Sequence, residues 1–148
     1  MKTPFLTTEE AIKGRRWKLV DASGKTVGRL ASEIAHLIRG KDDPKFTRHV
    51  DGGCEVVVVN ASKVVFTGNK LEAKLYRHHT LYPGGLKETK AKRVLETKPE
   101  KVIREAVEGM LPGGILGHRL LRRLKVYAGA IHPHAAQKPE VYVPHYAK

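Results

Sequence analysis

Tyr76, Arg77, His78, His79, Tyr82, Gly84, Gly85 and Lys87 put aromatic, imidazole, guanidinium and ammonium groups into one short stretch, YRHHTLYPGGLK. Aromatic rings and the guanidinium plane can stack on unpaired bases, and Arg and Lys can neutralise phosphates. Paired glycines let backbone N–H groups approach an anion closely. No acid occurs from Ala73 to Lys87. A second acid-free window, Gly109 to Pro139, carries Arg119, Arg122, Arg123, Lys125 and Lys138 with His118, His132 and His134. Arg119, Arg122 and Arg123 stand at i, i+3 and i+4, the spacing of one helix face, where a solvated helix usually interleaves Glu. Long segments of one sign build a positive field that suits a polyanion. The plainer alternative is a surface loop followed by a basic tail.

Other chemistries are weaker. Gly24-Lys25-Thr26 resembles the end of a phosphate-binding loop, but the glycine required five positions before Gly24 is Leu19. A tight strand-to-helix turn is the better reading. Cys54 has no oxyanion signature near it and reads as a small buried thiol beside a strand. His78-His79 and His132-Pro133-His134 lack zinc-site spacing, and adjacent histidines in a strand point to opposite faces. No cofactor or metal is expected, and no small-molecule substrate.

The chain has 148 residues, enough for one domain with its own core. Lys and Arg number 28 against 15 Asp and Glu, a net +13 that repels itself unless a polyanion neutralises it. Nucleic acid and anionic membrane are the candidate neutralisers. The longest apolar run is Val56 to Val59, far short of the ~20 residues of a membrane span. A single cysteine excludes an internal disulfide, and the start MKTPFLTTEEAIKG has no signal-peptide core. A reducing cytoplasm is expected.

The positioning elements follow from pattern. RWKLVD alternates as a strand. From Thr26 to Arg39 the apolar residues Val27, Leu30, Ala31, Ile34, Ala35, Leu37 and Ile38 recur at helical period, with Gly40 as C-cap. CEVVVVN is β-branched and apolar on both faces, which predicts a strand covered on both sides. Strand, helix and buried strand form a βαβ unit with a parallel pair. A short helix is expected over Thr89 to Glu96, then a capping box at Thr97 to Glu100. The helix after it should bury Val102, Ile103, Ala106, Val107 and Met110. A last helix, Ile115 to Leu124, should turn Leu116, Leu120, Leu121 and Leu124 inward and Arg119, Arg122 and Arg123 outward. Residues 1–14 read as an N-terminal extension with a short helical turn at Thr8 to Ile12. Residues 15–127 read as a single α/β domain. Residues 128–148 read as a C-terminal extension that must dock on something.

WKLVDASGKTVGRLASEIAHLIRGK, HVDGGCEVVVVNASKVVFTGNK, YRHHTLYPGGLKE, KPEKVIREAVEGMLP and LGHRLLRRLKVYAGAIHPHAAQKPE, in that order, resemble the bacterial-type large-subunit ribosomal protein thirteen family from Trp17 to Glu140. The resemblance implies a three-layer α/β/α fold around a mostly parallel four-stranded sheet, with irregular extensions at both ends. It implies a non-enzymatic constituent of the large ribosomal subunit. Such a protein binds large-subunit ribosomal RNA directly, supports early assembly and touches neighbouring ribosomal proteins, with messenger-RNA binding in feedback control as a secondary role. By position, the implied RNA-facing residues are Arg39, Lys41, Arg77, His78, Tyr82, Gly84, Gly85, Lys87, Arg119, Arg122, Arg123, Lys125, His132, His134 and Lys138. The sequence departs from the family at His79-Thr80-Leu81 and at Pro112-Gly113-Gly114-Ile115. Val141 to Lys148 runs past the match.

Overall fold

The computed structural model describes residues 5–145. The outer ends of the two extensions, 1–4 and 146–148, lie outside the described residues. In chain order the elements are α1 (Thr8–Lys13), β1 (Trp17–Asp21), α2 (Val27–Arg39), β2 (Glu55–Val59), a 3-10 turn (Ala61–Lys63), α3 (Lys70–Ala73), β3 (Leu75–His79), β4 (Leu86–Lys90), α4 (Ala91–Thr97), α5 (Pro99–Glu108), α6 (Gly114–Leu121), β5 (Leu124–Val126) and β6 (Glu140–Val141). The sheet has the order β5-β2-β1-β6 and every neighbouring pair is parallel. The α/β class with a four-stranded parallel sheet therefore stands, and β3–β4 form a separate antiparallel hairpin.

Register explains the core. Side chains alternate along a strand, so Val20, Val56, Val58 and Leu124 share one face. They meet the apolar stripe of α2 (Leu30, Ile34, Ile38) and that of α5 (Val102, Ile103, Val107) in one cluster. Each fully buried Leu or Ile contributes roughly 1.5–3 kcal/mol over exposure. Val57 points to the opposite face and is equally buried. On that side the C-terminal extension lies back: the His134 ring sits 5.2 Å from Trp17, and Tyr127 Oη pairs with His134 Nε2 at 2.8 Å.

The α2 ends match the sequence. Gly40 takes the left-handed conformation (φ 77°) and closes the helix onto the His36 and Leu37 carbonyls. Four expectations need correction. The α4 helix starts at Ala91, because Leu86 to Lys90 are paired in the hairpin. Thr97 makes no capping box; it ends α4 and its hydroxyl donates to the Arg93 carbonyl at 2.8 Å, leaving Lys98 as N-cap of α5. Met110 is exposed, since α5 stops at Glu108. The last helix stops at Leu121; Leu124 is buried, but as the first residue of β5 beside Val56.

Candidate nucleic-acid interface

The hairpin pairs Tyr76 with Thr89, Arg77 with Glu88, His78 with Lys87 and His79 with Leu86. Tyr76 anchors it, packing against the core cluster with its hydroxyl pKa raised, first by burial and then by Glu105. Alternation sends His78 and Lys87 to the Tyr76 face and Arg77 to the other. All three are exposed. Arg77 is not a free cation: its Nε donates to Glu88 Oε1 at 2.7 Å across the strands. The hairpin end is built by Tyr82-Pro83-Gly84-Gly85. Gly85 N–H donates to the Tyr82 carbonyl at 2.9 Å and Gly84 has φ 70°, the geometry of a type II turn with Pro second and Gly third. Tyr82 is 75% exposed at this turn.

The Arg row of α6 divides. Arg119 and Arg122 are exposed, while Arg123 is only 4% exposed. Its Nη1 donates to the Gly53 carbonyl at 2.6 Å, its Nη2 to the Asp51 carbonyl at 3.1 Å, and the guanidinium also pairs with the Asp51 carboxylate. Burial draws the Arg123 pKa below its ordinary value and the Asp51 charge opposes that. The outward placement of Arg123 is thus corrected. The chain leaves the helix at Leu121 and locks the Arg123 carbonyl to Val56 N–H at 3.1 Å, which swings the side chain under the sheet edge. Arg104, which sequence reasoning passes over, takes the vacant place. It joins His118, Leu121 and Arg122 around a groove of about 530 Å³. It also lines an adjoining cavity of about 450 Å³ with Lys98 and Lys101 at the start of α5. The signal for Arg104 is its place opposite Val102, Ile103 and Val107 on α5.

The remaining residues are dispersed. Arg39 lies half-buried with its guanidinium 5.7 Å from the Phe46 ring, and Lys41 is exposed just beyond. Lys125 is half-buried and donates to the Arg122 carbonyl at 2.6 Å. His132 and His134 stack on each other, ring centroids 6.4 Å apart, and His134 is engaged by Trp17 and Tyr127. Lys138 is exposed, with φ 48°.

At Gly24-Lys25-Thr26 the backbone N–H groups of Gly24, Lys25 and Val27 donate to Lys63, Ala22 and Val65 carbonyls, so they are not turned toward a phosphate. Cys54 is buried, and burial pushes its thiol pKa above the ordinary value, away from nucleophilic use. Among the described residues, no group of three or more His, Cys, Asp and Glu is placed to hold a metal. No helix among them is long and apolar enough to cross a membrane.

Comparison with known proteins bears on what this basic surface serves. A sequence model of the family described as Ribosomal protein L13 matches residues 15–133. The chain is 55% identical over 141 residues to the Large ribosomal subunit protein uL13 of Ruminiclostridium cellulolyticum, across 95% of this chain and 96% of that one. It is 53% identical over 142 residues to the protein of the same name from Brevibacillus brevis, across 96% and 97%. With that of Clostridioides difficile it shares 60% over 127 residues, across 86% and 89%. A match of this extent and identity places the chain plainly: it belongs to the ribosomal protein L13 family.

Proposed function

We propose that the chain is a structural constituent of the large ribosomal subunit that binds large-subunit ribosomal RNA directly, supports early subunit assembly and contacts neighbouring ribosomal proteins. Its family is one of ribosomal proteins, not of enzymes, and the relatives are bacterial, so its place is the ribosome in the cytoplasm. In this reading residues 15–127 are the RNA-binding domain and the two extensions are its arms.

The observation that carries the reading is the hairpin. It stands outside the parallel sheet with His78, Tyr82 and Lys87 exposed, and with no acid between Ala73 and Lys87. Arg104, Arg119 and Arg122 add a second basic surface on α5 and α6. Affinity then comes mainly from phosphate neutralisation, and selectivity from shape and from bases stacked at the hairpin. The same surface would serve a secondary role on messenger RNA in feedback control.

The test is a titration of the purified chain onto large-subunit ribosomal RNA at several salt concentrations. The logarithm of the binding constant should fall linearly with the logarithm of salt, by roughly 0.7–0.9 per phosphate contact. A flat plot rejects direct RNA binding. Sedimentation of a lysate separates the ribosomal role from that of a free regulator, which would stay out of the large-subunit peak.

A further inference from the structure

The tip of the hairpin holds a second device beyond its charge. Thr80 N–H donates to the Gly85 carbonyl at 3.0 Å, and a methyl group at Gly85 would fall on Thr80 Oγ1. With the Tyr82–Gly85 turn, these contacts close the tip tightly. Inside it Leu81 has φ 69°, a left-handed conformation that a branched apolar residue rarely adopts. Its N–H is held by His79 Nδ1 at 2.9 Å. That bond copies, with an imidazole, the turn in which an Asn or Asp oxygen accepts from the N–H two residues on. It requires an unprotonated Nδ1, and so the tautomer with its proton on Nε2.

Leu81 gains no packing from this arrangement. It is 90% exposed, beside Tyr82 at 75% and Leu86 at 56%. A strained residue that buries nothing within its own chain points to a use outside it. We propose that His79 is a positioning residue, holding Leu81 so that Leu81 and Tyr82 form an apolar seat for one unpaired RNA base. The proposal rests on the RNA-binding reading above. Charge favours RNA over a protein occupant: His78 and Lys87 pair across the strands one position before the His79–Leu86 pair that leads into the tip, and the hairpin carries no acid until Glu88, which Arg77 engages. Tyr82 supplies a ring plane for the base, Leu81 covers its edge, and Lys87 is placed for the attached phosphate.

The experiment uses the full chain and large-subunit ribosomal RNA, with single-stranded and duplex RNA oligonucleotides as competitors. His79→Ala should weaken binding about tenfold, the loss of one base contact, and speed exchange of the Leu81 amide. His79→Asn, whose side-chain oxygen can accept the same N–H, should restore both to near wild type. Leu81→Ala keeps the backbone lock and should lose affinity to a similar extent, which keeps the test decisive if His79→Ala disturbs the hairpin. Single-stranded RNA should compete better than duplex, and this preference should vanish in Leu81→Ala. Wild-type affinity in both His79→Ala and Leu81→Ala overturns the proposal, and so does a His79→Asn variant as weak as His79→Ala. An affinity loss seen only with ribosomal proteins present would make the occupant a protein and overturn it too. A wild-type chain that fails to bind the RNA at all would instead reject the broader RNA reading.

Discussion

Arg123 Nη1 reaches the carbonyl oxygen of Gly53 at 2.6 Å, joining residues 70 positions apart in the chain. The bond ties the start of β5 to the loop that feeds β2, and the Asp51 carboxylate neutralises the buried charge. Asp51 meets Arg15 at 3.7 Å as well, while its Oδ1 has no hydrogen-bond partner. A cation in a basic helical stretch therefore works as a structural clamp, while Arg122 just before it and Arg119 one turn earlier stay at the surface.

Replacing Arg123 tests the clamp. Arg123→Gln takes the main partner from half-buried Asp51, which keeps only the more distant Arg15, and unpairs the Gly53 and Asp51 carbonyls; losing charge-assisted hydrogen bonds at such a site costs about 1.5–3 kcal/mol. Denaturant unfolding should show a large fall in midpoint. Arg123→Lys should recover only part of it, because one ammonium cannot reach the Gly53 and Asp51 carbonyls and the carboxylate together. An Arg123→Gln chain as stable as wild type would refute the structural role.

Arg119, Arg122 and Arg104 should behave in the opposite way. Each is exposed, so replacement by Gln should leave the unfolding midpoint close to wild type. Each should weaken ribosomal RNA binding and lower the log–log salt slope by about 1 where the side chain holds a phosphate. Retained slope in the triple Gln variant would remove the α5–α6 groove from the interface.

How far the sequence reaches is clear from such contrasts. The helix over Val27 to Arg39 and the strand of four valines carry their own signals, because periodicity and β-branching are local. Arg123 carries none: i, i+3, i+4 spacing assumes that the helix continues, whereas pairing of β5 with β2 ends it at Leu121. The Arg77–Glu88 pair depends on hairpin register, set by a turn whose length composition does not give. The last strand, Glu140–Val141, exists only through its partner β1. The Thr97 capping box fails because Thr97 already belongs to α4. The basic stretches were legible as composition, but which cations are free is a matter of tertiary pairing.

Two glycines should respond oppositely to Ala. At Gly53 an added methyl would fall on the Ile38 carbonyl oxygen and meet Gly40 N at 3.0 Å, both backbone. Neither can retreat without parting the end of α2 from β2, so Gly53→Ala should fail to fold or melt far below wild type. At Gly28, inside α2, a methyl meets nothing within 4 Å. Gly28 is the second residue of α2, so Gly28→Ala should stabilise by no more than about 0.5–1 kcal/mol, the propensity difference of a helix interior. Thermal melts of the two variants check this, and a destabilised Gly28→Ala would count against the α2 packing described.

The C-terminal extension should respond to high pH. Tyr142 follows β6, and its N–H donates to the Leu19 carbonyl at 2.8 Å. Its hydroxyl donates to Glu33 Oε2 at 2.9 Å, and Lys18 Nζ, itself bonded to Asp42 at 2.8 Å, lies 5.1 Å from its ring. Burial, then the Glu33 carboxylate, pushes the Tyr142 pKa up to about 12. The folded chain thus holds the phenol proton more tightly than the unfolded chain, whose tyrosines titrate near pH ~10. The resulting stability is present in full below pH ~10 and is lost as pH rises toward about 12. A phenolate there would face Glu33 and Asp42, with Lys18 beside the ring in compensation. Tyr142→Phe removes the titration and one hydrogen bond, so it should be about 1 kcal/mol less stable at neutral pH. Its stability should then decline less steeply than wild type across the alkaline range. Parallel pH profiles for the two chains would show that Tyr142 does not latch the extension to α2.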